Sequence, residues 1–389
     1  MINLRERFFS ILNGKIPDKL PWYGDLTYWY TSMVRLKHID KKYLGLEGVI
    51  KLHKDLGIGY YQLGCETNKP IFNKCKCKVI FNRDKGYETF GRIQFKGYKT
   101  ERNSKNNDII RIISTPLGEL REVWKYIPQQ TTWALEEKLV KTISDLKIYK
   151  YWIEHTDFEA DYDQVEKVRD AVENQGFTMA WYPKSPLMQM ITEDIGIANT
   201  VNFWMDNIKL FEDLIKVLEL RCKKEADIAL KSCAEVLMLP ENFSSDLVGK
   251  NFFDKYLKSY YEDLNKRTKA SGKYSANHLD GYLKGLLKEV TLTGFSMIDA
   301  MTPKPVGDLS IHEFKDCVGR DVVMLGGIPG SYFTPEASNN EFIRHVKEVI
   351  KVMTSEPRYI LGIADQIPPN GIIDRVKKVS ELVEEYGSY

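Results

Sequence analysis

Residues that commonly bind metal ions follow several apolar stretches of this sequence. His278 and Asp280 stand two positions apart in SANHLDGYLKGLL, Asp365 follows RYILGIA, and Glu241 follows EVLMLP. Imidazole and carboxylate groups form zinc sites, and a catalytic zinc ion usually has three protein ligands and one open position. This nitrogen and oxygen donor set keeps the metal a strong Lewis acid, because it donates less charge than thiolates do. The residues alone leave open whether these side chains are ligands or structural hydrogen-bond partners.

The same residues end apolar segments that alternate with helical patterns. Strand patterns cover 177–182, 235–240, 274–278, 294–300, 321–326 and 358–364. Asp299 lies near the end of the fourth of these segments. Strands that alternate with helices predict a parallel sheet. These repeats, with room for two more upstream, favour an α/β fold of the (β/α)8 TIM-barrel type, whose active site lies at the carboxyl ends of the strands. An open doubly wound sheet is the alternative, but its glycine-rich phosphate fingerprint is absent from the sequence.

The whole chain, 1–389, is predicted to be a single barrel domain with two additions. Residues 1–60 contain a helical pattern over 2–14 and the aromatic-rich LPWYGDLTYWY, and they are expected to form an extension that lines the barrel mouth. Residues 70–130 contain YETFGRIQF, DIIRIIS and GELREVWKYI, separated by turn residues. Their alternation of apolar and polar side chains predicts an insertion of antiparallel strands.

Composition narrows the classes of function. The net charge of +2 and the lack of a basic stripe argue against nucleic-acid binding. The sequence has neither a signal-peptide core nor an apolar run long enough for a membrane span. Its six cysteines form no disulfide framework, so a reduced, cytoplasmic location is expected. Cys75 and Cys77 are spaced too closely for an ordinary zinc knuckle and are taken as incidental.

Several segments resemble the uroporphyrinogen decarboxylase superfamily, whose fold is an (α/β)8 barrel. They are RERFFSILNGKIPDKLPW, PENFSSDLVGKNFFDKYLKSYYEDL, GKYSANHLDG, GFSMIDAMTPKPVGDL, VVMLGGIPG and ILGIADQIPPNG. True decarboxylases have an arginine-containing segment, F-M-R-Q-A-G-R, that binds the substrate carboxylates. This chain has the aromatic-rich WYGDLTYWYTSM at that place. The resemblance therefore favours the branch of corrinoid-dependent methyltransferases over decarboxylation.

The resemblance also implies a set of zinc ligands. Thiol-methylating members of that branch bind zinc through His-x-Cys and a distant Cys, and the matching positions here are His278-x-Asp280 and Asp365. Acids in place of both cysteines look more like the methyltransferases that begin the O-demethylation of aromatic methyl ethers. The implied ligands are Glu241, His278 and Asp365, with Asp280 as a reserve. A second glutamate of the family pattern falls near 256–257, where the sequence has no acid, so that ligand is not assigned.

The implied activity is transfer of a methyl group from an aromatic methyl ether to the cobalt(I) corrinoid of a separate protein. A metal ion would activate the ether oxygen. The corrinoid is expected on a partner because none of the six histidines lies in the Asp-x-His-x-x-Gly signature. A smaller methyl donor, such as a methylamine or methylthiol, and a decarboxylase-like enzyme without metal are the alternatives. Whether the protein forms a homodimer is left open.

Aromatic and apolar residues near the expected strand ends are candidates for a pocket around an aromatic ring. These are Trp22, Tyr28, Trp29, Tyr182 and Met301, each with core packing as its alternative. Asp25 is the candidate proton donor, because an acid among aromatic residues can have a raised pKa; capping a helix is the alternative. Lys184 could pair with a substrate carboxylate or form a structural salt bridge.

Overall fold

The computed structural model describes residues 2–61, 64–81, 98–102 and 107–389. The chain divides into two compact units. The first comprises 1–65, 163–181 and 232–389, and the second comprises 66–162 and 182–231. The predicted division into one barrel domain, a mouth-lining extension and an insertion stays a prediction.

The elements are numbered in chain order over the described residues. The strands are β1 (Trp22–Asp25), β2 (Gly59–Tyr61), β3 (Asn68–Phe72), β4 (Lys76–Phe81), β5 (Lys99–Arg102), β6 (Ile109–Thr115), β7 (Gly118–Ile127), β8 (Thr132–Glu137), β9 (Thr156–Ala160), β10 (Met179–Trp181), β11 (Val236–Leu239), β12 (Tyr274–His278), β13 (Met297–Met301), β14 (Val323–Pro329) and β15 (Tyr359–Gln366). The helices are α1 (Leu4–Leu12), α2 (Thr27–Leu36), α3 (Gly45–Leu56), α4 (Asp145–Glu154), α5 (Asp163–Val172), α6 (Pro186–Met188), α7 (Ile197–Asp206), α8 (Ile208–Lys231), α9 (Ser245–Phe252), α10 (Lys258–Ala270), α11 (Leu287–Thr291), α12 (Phe314–Cys317), α13 (Asn339–Met353) and α14 (Asp374–Tyr386).

The first unit contains a sheet of eight parallel strands. Their order is β10-β11-β12-β13-β14-β15-β1-β2. Cys65, just beyond β2, pairs with β10. Its N–H donates to Met179 O at 2.9 Å, and its carbonyl accepts from Trp181 N at 3.0 Å. This pairing joins the two ends of the sheet, so the predicted (β/α)8 TIM-type barrel is confirmed.

All six predicted barrel strands overlap observed ones, β10 to β15. The two strands left unplaced upstream are β1 and β2, and both lie within 1–61. The charged residues 144–175 indicate helix from their sequence alone, and this expectation is wrong for 156–160, because β9 separates α4 from α5 and pairs antiparallel with β3. Thr156 and Phe158 are more buried than Asp157 and Glu159, which is the alternation of a strand, and the surrounding charged residues hide this period.

Local signals set several helix ends. Asn3 and Glu6 form a capping box at the start of α1, and Ser338 and Glu341 form another at α13. Each box satisfies backbone N–H groups that the first helical turn leaves without partners. Gly57 ends α3 with a φ of 70°, a left-handed conformation that suits glycine.

Apolar side chains fill the barrel interior and its amino-terminal end. Phe8 of α1 stacks on Phe177 with a centroid distance of 3.9 Å, and it belongs to the same buried cluster as Tyr23 and Met238. The Tyr23 hydroxyl donates to Leu4 O at 2.8 Å. Helix α1 therefore covers the amino-terminal end of the barrel, which leaves the carboxyl ends of the strands for polar residues.

The second unit contains a sheet of order β5-β4-β6-β7-β8. Strands β4, β6, β7 and β8 pair antiparallel, whereas β4 and β5 are parallel. Strands β6 and β7 lie where DIIRIIS and GELREVWKYI predict them. The strand predicted from YETFGRIQF lies outside the described residues.

Two further expectations concern the chain as a whole. All six cysteines, including Cys75 and Cys77, are free thiols. In the described part of the chain, no helix has both the length and the apolar character that crossing a membrane requires.

Candidate metal centre

His278 ends β12, and a neighbouring strand orients its ring. The strand register pairs His278 with Asp299 of β13. Its Nδ1 lies 2.7 Å from Asp299 Oδ2, and the imidazole is mostly buried. Because an ionised carboxylate can only accept hydrogen bonds, Nδ1 carries the proton in this contact. Nε2 is the nitrogen left to face the barrel mouth.

Two carboxylates lie in front of Nε2. Asp280 Oδ2 is 3.8 Å from it, and Asp365 Oδ1 is 3.7 Å from it. Ligand atoms of the three residues all lie within 4.8 Å of one another, so they form a possible His/Asp/Asp metal site. Tetrahedral ligands about 2.1 Å from a zinc ion lie roughly 3.4 Å apart. The observed separations therefore fit a zinc ion with little movement of the side chains.

The backbone around this group adopts conformations that are uncommon for residues other than glycine. Asp365 has a φ of 68° and Asn242, just beyond β11, has a φ of 49°. Left-handed backbone is unfavourable for most L-residues, and asparagine and aspartate tolerate it best. From this position Asn242 Nδ2 donates to Asp280 Oδ2 at 2.8 Å. Asn242 therefore holds one of the two carboxylates.

Neighbouring charges and hydrogen bonds strongly shift the pKa values of His278 and Asp280. Burial alone would lower the pKa of His278, but hydrogen bonds and charges from Asp280 and Asp299 outweigh it and raise this pKa to about 10. Burial opposes ionisation of Asp280, yet His278 and Asn242 together lower its pKa to about 2. In the absence of a metal, a protonated imidazole thus neutralises the carboxylates. A divalent cation can take over that role, because it also places positive charge between them.

Asp25 ends β1 with a buried carboxyl group. Burial raises its pKa to about 7, the Thr27 hydrogen bonds oppose this rise, and the charges of Asp365 and Asp299 add to it. Asp25 Oδ1 accepts the Thr27 N–H at 2.6 Å, at the first residue of α2. Both features expected for Asp25, a raised pKa and a bond at a helix start, therefore occur together.

Glu241 is not one of the three residues whose ligand atoms lie within 4.8 Å of one another. It is fully buried just beyond β11, and its Oε2 accepts the Tyr261 hydroxyl at 2.6 Å. Its assignment as a ligand stays a prediction. Tyr256 and Leu257, where the family pattern expects a second glutamate, are buried in a π-helical turn.

The predicted ring-pocket residues of the first unit are dispersed. Trp22 faces outward from β1, because Tyr23 next to it points into the barrel core. It lines a cleft of about 520 Å³ together with residues of α3 and α14. Tyr28 is half-buried on α2, and Met301 is fully buried at the end of β13. Trp29 Nε1 donates to Gly371 O at 3.1 Å, beyond β15. Their part in substrate binding stays a prediction.

Two predicted residues belong to the second unit. Tyr182 directly follows β10 and is buried. The Lys184 ammonium is buried and lies 3.6 Å from Glu193 Oε1. This ion pair is the structural alternative that the sequence left open for Lys184.

Sequence reasoning placed Asp299 among the strand-end carboxylates without assigning it a partner, and it did not single out Tyr61. Asp299 was expected at a strand end, but its bond to His278 depends on the register of β12 and β13. Tyr61 ends β2, is buried, and its hydroxyl interacts with Asp299. Burial raises the pKa of the Tyr61 phenol well above its usual range, and the charges of Asp299 and Asp25 add to this effect. A strand as short as β2 has no apolar period that would have indicated it.

The sequence profile of the family described as uroporphyrinogen decarboxylase (URO-D) matches residues 132–386. The chain belongs to the uroporphyrinogen decarboxylase family. The barrel observed here is the fold expected for that family. The match includes β10 to β15, and with them His278, Asp280 and Asp365.

One solved structure supports the fold of this uroporphyrinogen decarboxylase family member. A methyltransferase from Methanosarcina mazei superposes with a TM-score of 0.57 at 12% identity, covering 99% of each chain. A ribulose-1,5-bisphosphate carboxylase/oxygenase from Pyrococcus horikoshii aligns over 61% of this chain and 48% of its own, with 11% identity and a TM-score of 0.30. No curated protein sequence matches the chain at a significant level.

Proposed function

We propose that this protein is a zinc-dependent methyltransferase that moves a methyl group from an aromatic methyl ether to the cobalt(I) corrinoid of a separate protein. The observation that carries the proposal is the convergence of His278, Asp280 and Asp365 at the carboxyl ends of the barrel strands. That end is where barrel enzymes carry out their chemistry. The aromatic-rich WYGDLTYWY segment, in place of an arginine cluster, supports an aromatic substrate over a polyanionic one.

His278, Asp280 and Asp365 would hold the zinc ion, and Glu241 is a further proposed ligand. When bound, zinc supplies a Lewis acid for the ether oxygen, whose phenolate leaves poorly because its conjugate acid has a pKa of about 10. The task of the three side chains is to hold the cation with one position open to substrate. The methyl group passes to the corrinoid, so this chain needs no covalent intermediate of its own.

Asp25 is the proposed proton donor in this reaction. A carboxyl group with a pKa of about 7 is partly protonated at neutral pH, which suits a general acid. It would give its proton to the departing phenolate oxygen and recover one from water after product release. Met301 and Tyr28 are the proposed contacts of the aromatic ring, and they would exclude water from it.

Metal analysis tests the first part of the proposal. Purified protein should contain about one zinc ion per chain, and His278→Ala should lose it, because the site then keeps carboxylates alone. His312→Ala is the matched control: His312 also contacts a carboxylate, Glu348, at 3.3 Å, but it is exposed on the surface. The control should retain its zinc. Protein that stays free of zinc after reconstitution would overturn the metal assignment.

A panel of methyl donors tests the second part. The zinc-loaded protein is mixed with a reduced corrinoid protein and with a methoxybenzoate, a methylamine or a methylthiol. Conversion of cobalt(I) to methylcobalt(III) is followed by absorbance. The proposal expects the aromatic ether to react and His278→Ala to abolish the reaction. Reaction with only a small aliphatic donor would contradict the substrate class and leave the metal site standing.

A further inference from the structure

We infer that Asp299 and Tyr61 are positioning residues, which fix the tautomer and direction of the His278 ring so that Nε2 can bind a metal ion. This inference rests on the metal site of the proposed function and is independent of which methyl donor is used. It concerns binding of the metal alone, so it can be tested without substrate, corrinoid or partner protein.

The geometry of Asp299 suits this role. It lies in the middle of β13 and its side chain is almost completely buried. One oxygen is 2.7 Å from His278 Nδ1, the ring atom that faces away from Asp280 and Asp365. The backbone carbonyl of Asp299 also accepts the N–H of Leu279 at 3.1 Å. Both contacts hold the end of β12 against β13, so the ring and its support move as one unit.

A carboxylate next to Nδ1 decides which nitrogen can be a ligand. It accepts a hydrogen bond from Nδ1–H and cannot donate one, so Nδ1 keeps its proton and the neutral ring has its lone pair on Nε2. A metal-bound histidine whose other nitrogen donates to a carboxylate is a common arrangement in zinc sites, and it also makes the imidazole a better donor. Without Asp299, the ring could rotate or place its proton on Nε2, and either change would remove the ligand.

Tyr61 supports Asp299 from the opposite side of the barrel. In the ring of eight strands, β13 is followed by β14, β15, β1 and β2, so β2 faces β13 across the interior. The buried Tyr61 hydroxyl interacts with the Asp299 carboxylate. Its ring packs on Phe177 in the apolar layer below. The sequence of contacts Tyr61–Asp299–His278 therefore links the barrel core to the candidate metal centre.

The test compares zinc dissociation constants, measured by competition with a chromophoric chelator. Asp299→Asn should weaken zinc binding by about 10- to 100-fold, the usual effect of losing such a partner. Tyr61→Phe keeps the ring and removes only the hydroxyl, so its effect should have the same direction and be smaller. Asp308→Asn is the control, because the Asp308 carboxylate binds the Leu283 N–H at 2.9 Å and no imidazole. The control should bind zinc like the unaltered protein.

A second measurement needs no variant at Asp299. Nitrogen-15 spectra of the zinc-loaded protein should show the His278 ring with its proton on Nδ1 and the metal on Nε2. The signals are assigned by their loss in His278→Gln. This measurement keeps the inference testable even if Asp299→Asn fails to fold. A merely structural role for Asp299 would not fix which ring nitrogen of His278 carries the proton.

Two results would overturn the inference: zinc bound through Nδ1 of His278, or an unchanged zinc affinity in Asp299→Asn. Failure of the proposed function looks different. If zinc binds as expected but no methyl donor reacts, the function is wrong and the positioning role stands. If methyl transfer occurs and Asp299→Asn retains its zinc affinity, the positioning role is wrong and the proposed function stands. Protein that binds no zinc at all would remove both.

Discussion

At the scale of single residues, one imidazole is surrounded by carboxyl groups with very different proton affinities. The pKa of Asp280 is lowered to about 2, and that of Asp25 is raised to about 7. Asp280 has a cationic partner in His278, whereas Asp25 is buried with a short backbone contact. Two aspartates thereby differ: Asp280, the candidate ligand, is ionised at neutral pH, whereas Asp25 can hold a proton there.

The raised pKa of Asp25 has a consequence for stability that can be measured. The folded protein holds a proton on Asp25 to about pH 7, whereas the unfolded chain releases it near the ordinary value of 3.8. Stability from this group is therefore complete below about pH 4 and is lost as the pH rises to about 7. A difference of about three pKa units corresponds to roughly 4 kcal/mol.

Asp25→Asn should remove this dependence, since an amide does not titrate in this range. Unfolding by urea, measured on zinc-free protein, should show the unaltered protein losing up to roughly 4 kcal/mol relative to Asp25→Asn between pH 4 and 7. Above pH 7 the difference should be constant. Parallel stability curves for the two proteins across this range would show that Asp25 titrates normally.

At the scale of elements, the candidate site depends on irregular strand ends. Asn242 follows β11, Ala300 lies in β13 and Asp365 lies in β15, and all three have positive φ. Backbone of this kind is retained where the surrounding structure compels it, often at functional sites. Asp365 illustrates this, since its side chain is about half exposed and its Oδ1 lies 3.7 Å from His278 Nε2.

Substitutions at Asp365 should separate stability from metal binding. Glycine adopts a φ of 68° without cost, whereas alanine there is disfavoured by roughly 1–2 kcal/mol. Asp365→Gly should therefore be more stable than Asp365→Ala by about that amount in urea unfolding, although both lose the same carboxylate. Both should bind zinc more weakly than the unaltered protein. Equal stabilities would show that residue 365 has ordinary backbone geometry, and an unchanged zinc affinity would remove it from the site.

The elements also show where prediction from sequence succeeds. Apolar runs flanked by turn residues predicted β10 to β15. The predicted ligands were Glu241, His278 and Asp365 with Asp280 as a reserve, whereas the group whose ligand atoms lie together is His278, Asp280 and Asp365. The register of neighbouring strands could not be predicted, and it is the register that brings Asp299 to His278. Tyr61 could not be found either, because its contact crosses the barrel and β2 spans only Gly59–Tyr61.

At the scale of the whole barrel unit, packing and chemistry occupy opposite ends. The amino-terminal end is closed by α1, whose Phe8 and Ile11 are completely buried against the interior cluster. The carboxyl end holds the imidazole and the carboxylates. In barrels of this type the amino-terminal face serves stability, and the carboxyl face serves function. Changes at the two ends should therefore have separable effects.

Phe8→Ala is the substitution that tests this separation. Phe8 is completely buried and contacts both Phe177 and Tyr23, so removing its ring should destabilise the protein by about 3–5 kcal/mol in urea unfolding. Phe9→Ala is the matched control, because Phe9 lies beside it on α1 and is only partly buried; its cost should be smaller. Below the unfolding transition, both variants should bind zinc with unchanged affinity. A zinc affinity that falls with Phe8→Ala would show that the helix below the barrel core also determines the geometry of the metal site above it.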